Sequence, residues 1–437
     1  MRSDRGIITI LLLAAFLGYL EMTVVITALP TLGRVFPTAV PWLPWLVTVS
    51  LMAAGITLPL AGKLADEWGP KRVFLGGMFL FTLGSLLSGL VGIWLPSRIE
   101  LLIAFRVLQG LGGGVFAPVG LKVVSILYRG TQRTATVGIA GAIGPLAALL
   151  GPAAGGFLID RFPWQAIFLL NVPVGVTIIL IALAVMQKTP PSSGAAHDSA
   201  GAALLSATVL LLMLGLTWLR DHRAASPLVL ASLAGAAVLG GILYRVETHH
   251  SAPLLDPSLI GDPQMGTILG LSFVQGVTMY STLIFFSLYV QIHPAIRATG
   301  STAGAMLSAA AVGQIVSAPV AGVVAAKSGY RPLVAAGTIL TALSLFAMMV
   351  QPTDLVVLGT LLLASRVGGT ITAVPLAAAG LGVRRSQAGA ITGMRQLSSV
   401  NGGAVGPVAL SVIFPAISTS VSCFGRVCTH HGFGAWS

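Results

Sequence analysis

Residues 61–72 read AGKLADEWGPKR, and residues 321–332 read AGVVAAKSGYRP, which places the second segment 260 positions after the first. Two further pairs of segments match at nearly the same offset: LLIAFRV (101–107) with LLLASRV (361–367), and GAIGPLA (141–147) with GAVGPVA (403–409). All three pairs keep their order along the chain. The repeat predicts a protein that consists of two similar halves, in which corresponding segments run in the same direction.

The composition is that of a membrane protein. The chain is 55% hydrophobic and only 8% charged, with a mean hydropathy of +0.94, whereas soluble domains carry roughly 25% charged residues. Apolar runs recur that are long enough to cross a hydrocarbon core of about 30 Å. We therefore predict an all-α polytopic membrane protein in contact with the lipid bilayer. The net charge of +12 is explained by basic loops, and no nucleic-acid partner is expected.

The apolar runs predict thirteen helices. They lie near 7–29, 43–62, 72–94, 99–121, 134–158, 165–187, 200–219, 226–245, 266–291, 301–326, 331–350, 354–380 and 387–414. With a cytoplasmic N-terminus, fifteen basic residues fall on the inner side and seven on the outer side, as the positive-inside rule requires. The N-terminus has no pattern of a cleavable signal peptide.

The repeat and the linker composition predict four regions. They are an N-terminal six-helix bundle (1–187), a linker with two extra transmembrane helices (188–250), a C-terminal bundle (251–414) and a polar tail (415–437). The linker begins with QKTPPSSGAAHDSAG, which is rich in Pro, Ser and Gly and is typical of a loop. The tail is either a real extracytoplasmic segment or an altered end, and the sequence leaves both open.

The sequence contains no motif for a metal site, for enzymatic catalysis or for the use of ATP. The only two cysteines, Cys423 and Cys428, lie in the tail, so they predict no disulfide or metal framework for the helices. The chain has no phosphate loop, catalytic triad or metal-ligand cluster. We expect no enzymatic activity, no metal and no other cofactor, and transport that is not driven by ATP.

Five segments, taken together, resemble one family. They are LEMTVVITALP (20–30), GKLADEWGPKR (62–72), RVLQGLGGG (106–114), GPLAALLGPAAGG (144–156) and WQAIFLLNVPVG (164–175). In this order they resemble motifs of the major facilitator superfamily, and most closely its fourteen-helix drug:proton antiporter branch. The resemblance implies two six-helix bundles with two additional central helices. The chain departs from the branch at Glu21, where Asp is usual, at Ile26, where Asn is usual, and at its end, where the last helix is missing or altered.

Glu21 lies on a helix face of small residues. Ala14, Gly18, Glu21, Val25 and Ala28 are spaced by four, three, four and three residues, so they share one side of the helix. A charge at mid-bilayer costs about 2.5–3.5 kcal/mol, which predicts that this carboxyl group faces a cavity or a partner. We expect Glu21 to carry the coupling proton. The alternative is a structural glutamate that is permanently protonated or paired.

Arg106 is the expected partner of Glu21. Counting along their helices puts Glu21 at roughly 13 Å and Arg106 at roughly 12 Å from the outer end. Gln109, Gly110 and Gly113 share the face of Arg106, giving an amide and two positions of close helix contact. An arginine keeps its proton, so its expected role is to hold or release the carboxylate. The alternative is an arginine that bonds backbone carbonyls and braces the helices.

The loop around residues 62–72 predicts a cytoplasmic gate formed by Gly62, Asp66, Gly69, Lys71 and Arg72. The glycines permit a tight turn, and Asp66 is expected to meet a helix N-terminus or a basic residue of the other half. The alternative is that the two basic residues only fix topology.

The segment 144–156 predicts a hinge, which the family resemblance identifies as an antiporter motif and links to export. Its residues are Gly144, Pro145, Gly151, Pro152, Gly155 and Gly156. The prolines remove backbone donors and bend the helix, and Gly151 and Gly155 form a small-xxx-small pair that permits close helix packing.

The substrate cavity is predicted from scattered polar and apolar residues. Its candidates are Met22, Gln109, Gln275, Gln314, Arg366 and Asn401, with Phe273, Met279, Tyr280, Phe285 and Tyr289 as apolar and aromatic neighbours. Arg366 is the counterpart of Arg106 in the repeat. This mixture suits an amphiphilic organic compound.

Together these features predict a proton-coupled antiporter that exports a small organic compound, a drug or an antibiotic, by alternating access. Its partners are the substrate, protons and lipid, and a monomer is expected. The location is the inner or plasma membrane of a bacterium. The alternatives are an importer or a lipid or metabolite transporter of the same fold, and a membrane scaffold that transports nothing.

Overall fold

The computed structural model describes residues 2–36, 42–95, 98–186, 199–221, 226–249, 262–350, 353–383 and 388–413. Within these ranges the regular structure is helical throughout. The helices are α1 (Arg2–Val35), α2 (Trp45–Glu67), α3 (Pro70–Trp94), α4 (Ile99–Gly113), α5 (Phe116–Leu127), α6 (Gly130–Arg161), α7 (Ala166–Leu169), α8 (Asn171–Val185), α9 (Ser199–Asp221), α10 (Pro227–His249), α11 (Pro263–Ile292), α12 (Gly300–Ser328), α13 (Tyr330–Met349), α14 (Leu355–Val383) and α15 (Ala388–Ile413).

Most of these helices are long and apolar enough to cross a bilayer. Ten candidate spans lie in the described residues, and α2, which bends by 42° between Leu58 and Leu60, brings the number to eleven. One span combines α4 with α5, and another combines α7 with α8. The predicted helix 99–121 is therefore interrupted after Gly113, and its continuation runs on to Leu127. Helices α9 and α15 were predicted as spans but do not meet these criteria.

The helices form two bundles that contact each other through several pairs of helices. In the first half, α1 packs on α6, and α4 packs on α2 and α3. In the second half, α11 packs on α15, and α14 packs on α12 and α13. The halves touch where α6 meets α12, α2 meets α15 and α1 meets α11. The additional helices α9 and α10 pack on each other, and α9 contacts α2 and α15. Within the described residues, the fold is thus a first bundle of six spans, in which α4–α5 and α7–α8 each count as one, and a second bundle of five helices (α11–α15), with two helices inserted between them.

The internal repeat is visible in the backbone. Gly69 has φ 83° and Gly329 has φ 84°, and each immediately precedes a helix, at Pro70 and at Tyr330. Both lie in the region of φ that favours glycine. Two residues 260 positions apart thus adopt the same unusual conformation at the same kind of helix junction.

The two ends of the molecule differ in how the halves are joined. We call them the Lys71 end, which carries the α2–α3 loop, and the Asp160 end, which carries the end of α6. One apolar core includes Leu29 and Phe168 of the first half with Leu288 and Leu307 of the second. A second core, toward the Lys71 end, belongs to the first half alone. The apolar contact between the halves is therefore concentrated toward the Asp160 end.

The conformation of Gly69 generates a stability prediction. We expect Gly69→Ala to destabilise the protein by about 1–2 kcal/mol because a Cβ is disfavoured at positive φ. The measurement is the thermal unfolding midpoint of the purified protein in detergent. Gly76→Ala is the matched control, since Gly76 lies inside α3 and an added Cβ meets no atom within 4 Å. Equal midpoints for the two variants would contradict the prediction.

Candidate functional site

The helix face that carries Glu21 points into the protein. Ala14, Val25 and Ala28 are fully buried, and Glu21 is only 4% exposed. A Cβ added at Gly18 would lie 3.3 Å from the ring of Phe116, so α1 and α5 are in close contact here. The small residues predicted to share this face thus let α1 pack inside the bundle, with the carboxyl group turned away from lipid.

Glu21 and Arg106 form a buried ion pair. Arg106 is completely buried, and its Nη1 donates to Oε1 of Glu21 and, at 2.6 Å, to Oε1 of Gln109. Its Nε donates to the backbone oxygen of Leu46 at 2.7 Å. The guanidinium therefore makes both of the contacts that the sequence suggested as alternatives. It holds the Glu21 carboxylate, and it braces α2 by bonding a backbone carbonyl group.

A chain of polar side chains extends from this pair into α3 and α8. The Nε2 of Gln109 donates to the hydroxyl of Ser85 at 2.5 Å, and the Nδ2 of Asn171 donates to the same hydroxyl at 3.2 Å. The Phe168 ring lies 5.9 Å from Cζ of Arg106, within cation–π range. The network thus joins five helices. Sequence reasoning missed Ser85 and Asn171, whose only signal is a polar residue in an apolar run.

Glycines bring α4 close to its neighbours and so place Arg106. A Cβ at Gly110 would lie 2.8 Å from Cα of Ser50 on α2, and one at Gly112 would lie 2.9 Å from Cα of Phe81 on α3. Gly113 was predicted to be a position of close contact, and this is wrong. Its nearest neighbour would be the Phe81 ring at 3.9 Å, because this side of α4 faces a cavity.

The cavity beside the ion pair lies between the two halves. Its empty space, including the part open to the outside, is about 720 Å³, and its wall includes Glu21, Met22 and Gln109 from the first half and Tyr280 and Gln396 from the second. The Tyr280 hydroxyl points toward the sulfur of Met22 at 3.9 Å. The carboxyl group is therefore on the wall of a space that both halves form.

A second cavity of about 330 Å³ lies within the second half. Three of the predicted cavity residues, Gln275, Gln314 and Arg366, line it. Asn401 was also predicted to line a cavity, and this is wrong for both cavities described here. A Cβ at Gly55 would lie 3.0 Å from Oδ1 of Asn401, so this amide packs where α2 and α15 meet.

The loop predicted to form a gate is held within the first half. Asp66 forms an ion pair with Lys122 of α5, which corrects the expectation of a partner in the other half. The reason is that Lys122, at the Lys71 end of α5, faces the end of α2. Lys71 donates from Nζ to the backbone oxygens of Leu183 at 2.8 Å and Met186 at 2.5 Å. It therefore caps the C-terminal end of α8.

The other members of the loop have simpler surroundings. Arg72 is exposed, and a Cβ added at Gly62 would meet no atom within 4 Å. Only Gly69 of the two glycines has a backbone conformation that favours glycine. The tight turn is thus supplied by Gly69 alone.

The glycines of α6 contact both halves. A Cβ at Gly151 would lie 2.9 Å from Cβ of Thr23, and one at Gly155 would lie 3.0 Å from Cα of Val24. One at Gly156 would lie 2.7 Å from the carbonyl carbon of Gly300 in the other half. At Gly144 an added Cβ would meet nothing within 4 Å. Helix α6 is continuous through Pro145 and Pro152, and its use as a hinge stays a prediction.

Asp160 joins the halves at the end of α6. Its Oδ1 accepts from the backbone nitrogen of Gly300 at 3.2 Å, and its Oδ2 accepts from the backbone nitrogen of Ser301 at 2.9 Å and from the Ser301 hydroxyl. A carboxylate is well placed at the N-terminus of α12, where backbone N–H groups lack partners. Sequence reasoning missed Asp160. Its signal was an acidic residue at a helix C-terminus, where the helix dipole disfavours it.

Comparisons with known proteins identify the family to which this fold belongs. Residues 11–274 match the family model described as Major Facilitator Superfamily. The chain is 28% identical over 428 residues to the multidrug resistance protein B homolog of Mycobacterium tuberculosis, covering 94% of this chain and 77% of that protein. It is 29% identical over 408 residues to the cephamycin export protein CmcT of Amycolatopsis lactamdurans, covering 92% and 83%. It is 27% identical over 337 residues to the multidrug transporter protein MdtP of Bacillus subtilis, but spans only 61% of that relative's length.

Solved structures agree on the fold. The inward open xylose transporter XylE from E. coli superposes with a TM-score of 0.63 at 14% identity, covering 97% of this chain and 94% of that one. The peptide transporter POT in complex with sulfate superposes with a TM-score of 0.69 at 15% identity, covering 96% and 91%. The fold is that of a multi-pass membrane protein. The chain belongs to the Major Facilitator Superfamily, a family of transporters and not of enzymes, as the sequence motifs predicted.

The buried ion pair predicts strong coupling between its two members. We expect Arg106→Gln to cost about 3–5 kcal/mol because it leaves the Glu21 carboxylate buried without its partner. The double variant Glu21→Gln/Arg106→Gln should lose less than the sum of the two single variants. The measurement is the free energy of unfolding in mixed micelles titrated with SDS. Additive losses would contradict a direct energetic link.

Proposed function

We propose that this chain is a proton-coupled antiporter that exports a small organic compound, a drug or an antibiotic, by alternating access. The observation that carries the proposal is the Glu21–Arg106 ion pair, which is buried and yet lies on the wall of the cavity between the halves. The names of the relatives, two multidrug proteins and a cephamycin exporter, support a drug or an antibiotic as the cargo.

The proposed coupling follows from the balance of charges at Glu21. While the carboxyl group is ionised, it neutralises Arg106 in a site that excludes water. Protonation removes that attraction and leaves the guanidinium without a counter-charge, which favours a rearrangement of the helices around it. Because an arginine keeps its proton, Glu21 is the member of the pair that titrates. A proton and a substrate that favour opposite states of this pair exclude each other, which is the requirement for exchange.

The proposed alternation uses the two ends of the bundle. In the described conformation Asp160 and the shared apolar core hold the halves together at one end. At the other end, Asp66 and Lys71 are bonded within the first half. We propose that the cavity opens toward the Lys71 end in this state and toward the Asp160 end in the other. The predicted gate loop then contacts the second half only after the Asp160 contact has broken.

The orientation and the location complete the proposal. We place the Lys71 end and the N-terminus in the cytoplasm, because the basic loops lie there, and the protein in the inner or plasma membrane of a bacterium. The division into residues 1–187, 188–250 and 251–414, with the tail 415–437, belongs to the same proposal. Residues 414–437 lie outside the described part of the chain.

The test of coupling is transport in inside-out vesicles. The probe is the compound to which expression of the protein gives the largest increase in cellular resistance. We expect it to accumulate when the vesicle lumen is made acidic, by about tenfold per pH unit for one-to-one exchange with the membrane potential held at zero. Glu21→Gln should abolish the accumulation.

The control for this test is Glu100→Gln, since Glu100 is an exposed carboxyl at the start of α4. Vesicles that contain this variant should accumulate the probe as vesicles with the unmodified protein do. Accumulation that survives Glu21→Gln would refute the proton-carrying role. Accumulation that requires an alkaline lumen would make the protein an importer.

The proposed alternation predicts a defined effect of Asp160→Ala. We expect it to shift the population toward opening at the Asp160 end, because α12 loses the cap that joins it to α6. The measurement is the distance distribution between spin labels at Phe162 and Ala295, both exposed at this end, after replacement of Cys423 and Cys428.

Asp354→Ala is the matched control for the spin-label experiment. Asp354 accepts from the backbone nitrogens of Val356 at 2.7 Å and Val357 at 3.1 Å, so it caps a helix within one half. It should leave the distances unchanged. Equal distances for Asp160→Ala and the unmodified protein would contradict the role of Asp160 in closing this end.

A further inference from the structure

The two arginines of the repeat have different electrostatic surroundings. Arg106 has an ion pair with Glu21 and a hydrogen bond with Gln109. Its counterpart Arg366 is 5% exposed, and its buried Nε has no hydrogen-bond partner among the described residues. No described carboxylate forms an ion pair with Arg366. Each half therefore carries one of the two repeat-related arginines, and among the described residues only the arginine of the first half has a carboxylate to neutralise it.

The described acidic residues of the second half are not placed to neutralise Arg366. From residue 251 onward the chain contains only three, Asp256, Asp262 and Asp354. Asp262 caps the start of α11, and Asp354 accepts from the first backbone nitrogens of α14. Asp256 precedes α11 in the chain and lies outside the described residues. Neither of the two described ones, Asp262 and Asp354, lies on a membrane-spanning stretch of this half.

The neighbours of Arg366 are polar but uncharged. The cavity of about 330 Å³ that it lines is also lined by Gln275, Thr278, Gln314, Thr341 and Met279. The hydroxyls of Thr278 and Thr341 donate to backbone oxygens of their own helices at 3.0 and 2.9 Å, and Nε2 of Gln275 donates to the Gly369 oxygen at 3.1 Å. These groups give the site hydrogen-bonding capacity without neutralising the guanidinium.

From this asymmetry we infer that the cavity at Arg366 binds a carboxylate group of the transported compound, so that the substrate class is organic anions. The inference rests on the proposed export function and adds the charge of the cargo. A buried guanidinium without a counter-charge is costly. A carboxylate pairs with it through two parallel hydrogen bonds, which no neutral group reproduces.

The walls of the site indicate an organic molecule. Met279 adds an adaptable apolar surface, and the two glutamine side chains offer both donors and acceptors. The charge selects the carboxylate, and the rest of the wall accommodates an apolar body.

The test is equilibrium binding to the purified full-length protein, without a pH gradient. The probes are naphthoate and naphthamide, which share a ring system and differ in charge. We expect naphthoate to bind with a dissociation constant at least about tenfold lower than that of naphthamide. Arg366→Gln should reduce the difference to less than about twofold, and Arg366→Lys should retain part of it because the charge remains.

Arg331→Gln is the control, since Arg331 is an exposed arginine in the same half, and it should bind both probes as the unmodified protein does. If Arg366→Gln does not fold, Arg366→Lys against the unmodified protein decides the question, with an expected loss of affinity for naphthoate only. Equal affinity for the two probes, no binding of naphthoate, or a preference that survives both substitutions would overturn the inference.

Two further arms separate the sources of a negative charge. Chloride that displaces naphthoate at equal concentration would overturn the inference in favour of an inorganic anion. Displacement by phosphatidylglycerol vesicles, and not by vesicles of neutral lipid, would overturn it in favour of a lipid headgroup. Binding is measured here without transport. Normal accumulation of the probe in vesicles that contain Glu21→Gln would therefore refute the coupling proposal and leave this inference standing. Equal binding of naphthoate and naphthamide would overturn this inference and leave the coupling proposal standing.

Discussion

The ion pair between Glu21 and Arg106 is the interaction on which the rest of the first half depends. Two opposite charges in a nearly dry interior are stable only when their geometry is good and their remaining hydrogen-bonding groups are satisfied. The chain meets this condition in part: Gln109 and the Leu46 carbonyl accept from Arg106 and Ser85 holds Gln109, while the buried Nη2 of Arg106 has no hydrogen-bond partner among the described residues. Five helices must therefore be positioned together, and the glycines of α4 let three of them approach closely.

The same pair faces a cavity that the second half completes. A charge pair buried inside one bundle would stabilise only that bundle, whereas Glu21 shares its cavity with Tyr280 and Gln396. A rearrangement of the halves thus changes the surroundings of the carboxyl group, and a change of its charge alters the balance between the arrangements. The contact between Asp160 and Gly300 joins the two halves at one end of the molecule. In our proposal it breaks when the cavity opens there.

Much of this architecture could be predicted from the sequence. The repeat with an offset of 260 positions and the order of the family motifs predicted two bundles with two inserted helices. The spacing of Ala14, Gly18 and Glu21 predicted a buried face, because helical periodicity is encoded locally. The depth of two residues on adjacent helices follows from a fixed rise of 1.5 Å per residue. The repeat and the family motifs were therefore sufficient to predict the fold, and local helix geometry was sufficient to predict the central pair.

Other features depend on how distant segments meet, and the sequence did not predict them. Asp66 pairs with Lys122 and not with the other half, because its partner depends on the conformation of the whole transporter. Asn401 lies between α2 and α15 and lines neither of the two described cavities, since a polar residue on a helix can face a neighbouring helix or a cavity. Ser85, Asn171 and Asp160 were missed because a single polar residue gives no periodic signal. The asymmetry at Arg366 also required the tertiary structure, which shows which of the two arginines has a partner.

The central claim is that substrate and proton compete through Glu21. The most direct measurement is the number of protons released when the exported compound binds to the purified protein in weakly buffered solution. We expect the unmodified protein to release a proton for about every substrate bound, and the Glu21→Gln variant to bind substrate without releasing any. Equal release from both proteins, or none from the unmodified protein, would contradict the account.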